Sequence, residues 1–522
     1  MSPTDTFAQD SLPSLDEWPD LLIEPLGYPR RLNCATALLD DTVAAGHGDR
    51  VAINSPSETL SYRELLDRVQ RIGRVLVEEL GMVDGNRVLL RAPNNAALVA
   101  CWLAVARSGG IVVATMPLLR RRELTQVVEA ARIGLALCDD RLLEEVEGLP
   151  DRLVSFGELE KLAEQKPGGL APHDTQADDI VLIAFTSGTT GKPKGTMHFH
   201  RDVLAICDTF SREIVRSTGA DVFIGSPPIA FTFGLGGLVT FPMRIGASAV
   251  LLEQAAPDQL LEAIDQFGAS TLYTAPTAYR RMLTLGVRGK LGSLRRCVSA
   301  GEPLPLAVYE QWLDETGIRI IDGIGSTEML HIFISAADDD IRPGTTGKPV
   351  PGYEARIVDE AMSDVRDGTI GRLAVRGPTG CRYLRDPRQR EYVRGGWNIT
   401  GDAYVRDEDG YYHYQARTDD MIITGGYNVA GPEVEDILLE HDAVLECAVV
   451  AARDQERGTI VKAYVVLAEG HAPGEEAVGE LQDFVKARIA PYKYPRVIEF
   501  LDALPRTPTG KLQRYVLRQR DG

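Results

Sequence analysis

The sequence predicts an α/β protein: a large N-terminal domain of βα-built sheets with a β-rich subdomain, followed by a small α/β C-terminal domain. Three observations predict it. From residue 180 short β-rich runs alternate with longer helical ones; between about residues 343 and 415 the texture changes to short strands and turns; and the remaining segment has its own apolar plan.

Residues 221–226, 247–252, 271–274, 294–299 and 319–322 are β-rich, while 235–243, 258–267, 277–285 and 305–316 are helical. Alternation at this spacing builds a largely parallel sheet, whose binding sites gather at the carboxyl ends of the strands. In 343–415, Pro349, Pro351, Gly352, Gly371, Gly377, Gly395, Gly396 and Gly401 punctuate short strands. Beyond it, 432–440 reads as a helix with proline in its first turn, 444–451 and 459–467 as strands, and 475–489 as an amphipathic helix. The change of pattern at 417–420 divides the chain into domains 1–418 and 419–522.

Composition excludes several classes. With 522 residues, 44% of them apolar, the chain can bury a large core. Lys and Arg number 56 against 75 Asp and Glu, and the net charge of −19 opposes sequence-independent binding to nucleic acid or anionic membrane. The first twenty residues carry Asp5, Asp10, Asp16, Glu17 and Asp20 and no apolar segment, and the longest apolar run, 98–106, is about half a membrane span, so a cytoplasmic protein is expected. Seven cysteines without a C-x-x-C pair, several inside apolar segments, read as buried free thiols.

The most informative stretch is TSGTTGKPKG, residues 186–195, directly after the apolar run 180–185. Gly188, Gly191 and Gly195 permit positive φ and close backbone approach, Thr186, Ser187, Thr189 and Thr190 offer hydroxyls, and Lys192 and Lys194 offer charge. That is a phosphate cradle. It is not a Walker loop, because Pro193 follows Lys192 and Thr186 stands where the first glycine belongs. Gly323 and Gly325 give half of a Rossmann fingerprint, with Glu328 in place of its third glycine.

Joined by GSTE (325–328), TGD (400–402), RTDDMI (417–422) and PRTPTGK (505–511), in that order and across nearly the whole chain, this loop resembles the acyl-adenylate-forming superfamily. IDGIGSTEMLHIF (321–333) and FTFGLGG (231–237) are similar to its benzoate and 2-aminobenzoate CoA ligases. The resemblance implies a cycle in which ATP and an acid form an acyl-AMP with loss of pyrophosphate, and a thiol then displaces AMP, while a mobile C-terminal domain swings between the two half-reactions.

It also implies roles. Thr186 and Glu328 would hold Mg2+ on the nucleotide phosphates, oxygen donors suiting that ion, and Ser326 and Thr327 would accompany them. Ala300, Gly301 and Glu302 would supply backbone to the adenine face and Asp322 its edge, flanked by Gly323, Ile324 and Gly325; Ile324 replaces an aromatic residue that much of the family carries. Asp402 would accept hydrogen bonds from the ribose hydroxyls, Arg417 would lie near ribose and phosphate, and Asp419 would be the hinge. Lys511 would reach the carboxylate and α-phosphate, a fixed cation whose loss costs about 10²-fold or more, and Gly426 would line the pantetheine tunnel.

Phe231, Thr232, Phe233, Tyr273, Ala275, Ile324, Gly325 and His331 would surround a flat ring. His331 is read either as a contact to an ortho substituent or as a packed histidine, and His198 and His200 as further residues that could approach the ligand. The expectation is therefore an aryl-acid CoA ligase, with 2-aminobenzoate ahead of benzoate and salicylate, using ATP, Mg2+ and coenzyme A, as a monomer or homodimer. Two alternatives stay open: an aryl-AMP ligase that loads a carrier protein, and a nucleotide-binding module without turnover.

Overall fold

A computed structural model of the protein describes residues 4–186, 193–417, 420–424, 427–454, 458–489, 493–507 and 512–520. The apolar run 98–106 lies in the helix Ala96–Arg107, of which every residue but Ala97 is buried, and Asn95 caps it by accepting a hydrogen bond from the Leu98 N–H. A helix apolar on all sides has to be enclosed between layers. Trp102 and its neighbours share one core with Leu90 and Val112 of one sheet and Phe223 and Val298 of another. Among the described residues no helix is long and apolar enough to cross a membrane.

The first sheet has six strands in the order Arg152–Ser155, Leu135–Cys138, Arg87–Arg91, Ile111–Thr115, Ile180–Thr186 and Lys194–Phe199, parallel except for the last pair. The second has nine. Its centre is six parallel strands, Ile320–Gly325, Arg296–Ser299, Thr271–Thr274, Val222–Gly225, Ser248–Val250 and Val51–Asn54, with antiparallel strands added at both edges. The helices Pro257–Phe267, Pro276–Leu285 and Leu306–Thr316 cover its outer face through Leu260, Met282 and Trp312. This is the βα alternation expected from residue 180 onward, completed by the strand Val51–Asn54 from far upstream.

Glu354–Val358, Gly371–Arg376, Trp397–Arg406, Val393–Arg394 and Tyr412–Arg417 form the β-rich antiparallel subdomain. In the C-terminal part, Val444–Asp454, Gly458–Leu467 and Val497–Phe500 make a three-stranded sheet. The helices Gly431–Leu439 and Glu475–Lys486 pack on it through Val434, Leu438, Leu481 and Val485. All seven cysteines are buried and free, as their placement in apolar segments predicted.

Several local expectations change. Lys194 and Gly195 belong to a strand rather than to the turn, because Lys194–Phe199 pairs with Ile180–Thr186 and brings Lys194 opposite Thr186. Gly195 has no positive φ; a Cβ there would stand 3.0 Å from both Ile183 and the Phe185 ring, so close packing calls for glycine. The helix expected over 235–243 comprises Thr232–Leu235 and Phe241–Arg244 joined by a wider π-turn, Gly236–Thr240. Gly325 of GSTE is the last residue of the strand Ile320–Gly325, and Asp402 lies inside the strand Trp397–Arg406.

Candidate active site

The hairpin that returns through Lys194 is lined on its other edge by the segment around Tyr383. Met197 N donates to Arg382 O at 2.8 Å, and Leu384 N to Gly195 O at 2.8 Å. This pairing carries Tyr383 to Lys194, whose ammonium donates to the Tyr383 hydroxyl at 3.0 Å and lies 5.0 Å from the ring centroid. The same hydroxyl donates to Glu328 Oε1, and Lys194 Nζ stands 3.7 Å from that oxygen. Glu328 is 7% exposed. Burial, and then the Glu328 charge, push the Tyr383 hydroxyl well above its ordinary pKa, so it stays a donor.

Glu328 occupies the turn between the antiparallel strands Ile320–Gly325 and Ile332–Ser335. Ser326 Oγ accepts from Met329 N at 3.2 Å and meets the Tyr392 hydroxyl at 3.4 Å, while the Tyr392 ring stands edge-on to Tyr383 with centroids 5.7 Å apart. His198 supports the turn from behind: its Nε2 donates to Thr327 O at 2.8 Å. His200 is also buried and accepts from Cys34 N at 3.1 Å. Neither histidine is presented to solvent: His198 supports the turn, and His200 is packed against Cys34.

Asp402 and Arg417 face each other across neighbouring strands. Arg417 Nη1 donates to Asp402 Oδ1 at 3.2 Å and to Thr400 O at 3.1 Å. Gly401, at φ 78°, clears the path, because a Cβ there would stand 2.7 Å from Arg417 Nη2. Burial raises the Asp402 pKa above the ordinary carboxylate value; Arg417 opposes the rise and the Glu328 charge adds to it. Thus the GSTE turn, Asp402 and Arg417, far apart in sequence, share one electrostatic neighbourhood.

Asp322 pairs in register with Ser299 on the adjacent parallel strand. Its Oδ1 is enclosed without a partner among the described residues, and burial pushes its pKa up to about 7. Ala300 and Gly301 follow at the strand end, Gly301 with φ 94°. Glu302 turns its side chain away, accepting from Thr277 Oγ1 at 2.7 Å and lying 3.5 Å from Arg506 of the C-terminal part. Its backbone is what remains for a ligand.

Beside this lies an aromatic cage. His331 packs against Phe241, Phe210 and Phe233 at 4.6, 5.1 and 5.7 Å between centroids, and Tyr273 against Phe233 at 5.7 Å and Phe241 at 6.1 Å. The glycines of FTFGLGG make room for these rings: a Cβ at Gly236 would stand 2.5 Å from His331 Cδ2, and one at Gly237 2.6 Å from Tyr273 Cγ. Burial lowers the His331 pKa to about 3, so the imidazole is neutral, and neither ring nitrogen nor the Tyr273 hydroxyl has a partner among the described residues.

Of the expected acid-site residues, Phe233, Tyr273 and His331 come together in the cage. Phe231 makes no ring contact among the described residues; it caps the helix Thr232–Leu235. Ile324 is half-buried against the main core, Gly325 is exposed, and Ala275 caps Pro276–Leu285. Ser187, Gly188, Thr189, Thr190, Gly191, Lys192, Asp419, Gly426 and Lys511 lie outside the described residues. Tyr383, Tyr392, Phe210 and Phe241 were missed. Of these only Phe241 falls inside a predicted element, the helix 235–243, and that placement does not set its ring apart.

A divalent cation fits this donor set in one way. Among the described residues no group of three His, Cys, Asp or Glu side chains could hold a metal, whereas Mg2+ is commonly bound by one or two carboxylates plus substrate phosphates. Glu328 is such a carboxylate: its partners among the described residues meet Oε1 only, leaving Oε2.

A buried carboxylate that follows a strand of the parallel sheet, a lysine beside it on an antiparallel hairpin and an aspartate–arginine pair on antiparallel strands are side chains suited to a phosphate-handling α/β enzyme. Residues 40–383 match the family described as AMP-binding enzyme, and residues 433–511 match the AMP-binding enzyme C-terminal domain. The chain belongs to the AMP-binding enzyme family. A benzoate–CoA ligase from Thauera aromatica is 36% identical over 507 residues, covering 94% of this chain and 96% of that protein. A 4-hydroxybenzoate–CoA/benzoate–CoA ligase from Rhodopseudomonas palustris is 36% identical over 513 residues, 94% of each. The solved structure of the anthranilate CoA ligase AuaEII in complex with anthranoyl-AMP aligns with a TM-score of 0.90 at 34% identity, over 95% of this chain and 98% of that one.

Proposed function

We propose that the protein is an AMP-forming aryl-acid CoA ligase with 2-aminobenzoate as its preferred acid, benzoate and salicylate following. The observation that carries this reading is the turn 326–331. It presents Glu328 to Lys194 and Tyr383, and three residues later sends His331 into a cage of Phe210, Phe233 and Phe241. Charged groups suited to phosphate and a cluster of aromatic rings thus adjoin through one short segment. The unpartnered, neutral His331 nitrogens supply a hydrogen-bonding site for an ortho amino group, and the likeness to an anthranilate ligase supports the same choice.

In the first half-reaction an oxygen of the acid's carboxylate attacks the α-phosphorus of ATP; the bond from that phosphorus to the bridging oxygen breaks and pyrophosphate leaves. The loop 186–195 orients the leaving phosphates, Asp402 and Arg417 hold the ribose, and backbone at Ala300–Glu302 with Asp322 takes the adenine. Lys511 offsets charge building on the transferring oxygens. Glu328 and Thr186 would hold Mg2+, which would supply positive charge against the phosphates. In the second half-reaction the CoA sulfur, entering past Gly426, attacks the acyl carbon, its C–O bond to phosphate breaks, and AMP leaves. Domains 1–418 and 419–522 divide the labour, with Asp419 as the hinge.

A pyrophosphate-release panel over 2-aminobenzoate, benzoate, salicylate, hydroxybenzoates and short fatty acids, with and without CoA, tests the reading. Turnover is expected on the aryl acids, greatest with 2-aminobenzoate. Turnover confined to aliphatic acids would overturn it.

A further inference from the structure

We propose that Tyr383 is a positioning residue for adenylation: its hydroxyl, set between the Lys194 ammonium and the Glu328 carboxylate, holds the two charges apart and fixes which carboxylate oxygen faces the nucleotide. The inference rests on the proposed role of Glu328 toward Mg2+.

The phenol has one proton and an acceptor oxygen, and both are used. The proton goes to Glu328 Oε1, and the oxygen accepts from Lys194 Nζ at 3.0 Å. At 3.7 Å, Lys194 is beyond direct hydrogen-bond reach of that carboxylate oxygen, so the phenol is the bridge. It cannot swing away. Tyr383 is 1% exposed, its N–H donates to Gln389 Oε1 at 2.8 Å, and it bridges to Thr196 on the hairpin. Gln389 is anchored in turn, donating to Glu17 O at 2.8 Å and Cys381 O at 3.1 Å. A carboxylate torsion is broad and two-fold by nature, and a fixed donor selects one orientation.

Without the hydroxyl, Lys194 would close on Glu328 to a direct ion pair of about 2.8 Å. That contact would occupy the carboxylate that is to meet the cation and withdraw the ammonium from the phosphates. The device resembles the outer partners that orient metal ligands, whose loss costs about 10- to 100-fold in affinity.

The test is calorimetric titration of the full-length protein with α,β-methylene-ATP, in MgCl2 and in EDTA, for the unaltered protein, Tyr383→Phe, Glu328→Gln and Lys194→Met. The readout is the ratio of the two affinities. The unaltered protein is expected to bind more tightly with Mg2+, and Tyr383→Phe and Glu328→Gln each to lose about tenfold of that gain. Lys194→Met, which leaves the phenol and carboxylate intact, is expected to weaken binding in both conditions and to keep the ratio. If Glu328→Gln loses the gain and Tyr383→Phe keeps it, the positioning role is refuted while the role of Glu328 stands. If Glu328→Gln keeps the gain, the metal reading fails and the inference with it. A ratio lost in Lys194→Met assigns the control to the ammonium and likewise overturns the proposal.

Discussion

Gly237→Ala tests the aromatic cage most directly. The added Cβ would stand 2.6 Å from Tyr273 Cγ and 2.8 Å from Cδ1, where ordinary contact begins at 3.4 Å, so the ring has to retreat by 3.4 − 2.6 = 0.8 Å. Retreat is obstructed. Tyr273 is fully buried, with Phe233 at 5.7 Å and Phe223 and Phe241 both at 6.1 Å. Overpacking of this kind costs about 1–3 kcal/mol, and alanine regains up to about 1 kcal/mol over glycine in a helical stretch. A net loss of about 1 kcal/mol is therefore expected. The functional effect should be larger, because misplacing a site group by about 1 Å can cost about 10²-fold. We expect kcat/KM for benzoate and 2-aminobenzoate in a pyrophosphate-release assay to fall about 10- to 100-fold, with the KM for ATP unchanged. Gly237 has no positive φ, so backbone strain does not confuse the result. Unchanged kcat/KM together with an unchanged melting temperature would refute the cage.

Asp322→Asn should show a pH-dependent gain in stability. The carboxyl is pushed from 3.8 to about 7 by burial. Below pH 3.8 both folded and unfolded chains are protonated; between 3.8 and 7 the unfolded chain alone ionises and stability falls; above 7 the penalty is constant, at most about 4 kcal/mol. The variant should melt higher than the parent at pH 8, with the gap closing toward pH 4; an equal gap at both values would exclude this cause. His331→Phe should lower kcat/KM for 2-aminobenzoate about 10-fold relative to benzoate, and, since burial holds the imidazole near 3, the parent's preference should be flat from pH 5 to 8; equal losses on both acids would leave His331 a packing residue. Lys511→Ala should reduce adenylation by about 10²-fold or more while sparing thioester formation from supplied acyl-AMP. Equal loss of both half-reactions would remove Lys511 from its role.

Much of the architecture was legible because the βα units announce themselves locally. The strand Thr271–Thr274 and the helices ending at Phe267, Leu285 and Thr316 match their expected limits at one or both ends, since each alternation of apolar period and each glycine or proline stop is written within a few residues. The site was legible where short motifs carry it: Glu328, Asp402 and Arg417 were all named in advance, and each stands at the candidate site. Tyr383 and Tyr392 were not, because nothing in GCRYLRDPRQREY sets those rings apart from other tyrosines. Their importance comes from a strand edge that lays Arg382–Leu384 beside Met197 and Gly195.

By itself, then, the sequence determined the α/β class and carried, in order, the motifs by which it resembles the adenylate-forming enzymes. The class follows from local periodicity, turn chemistry and residue type, and the resemblance from the motifs themselves. Only the tertiary structure decided that Val51–Asn54 completes the second sheet, that Lys194 leaves the loop as a strand, that His198 supports Thr327 from within, and that Tyr383 stands between Lys194 and Glu328. Apart from the local hairpin that sets Lys194 opposite Thr186, each of these depends on pairing between segments tens to hundreds of residues apart. Such pairing is selected by burial of the whole core and by the demand that enclosed polar groups find partners, and no short window of sequence records it.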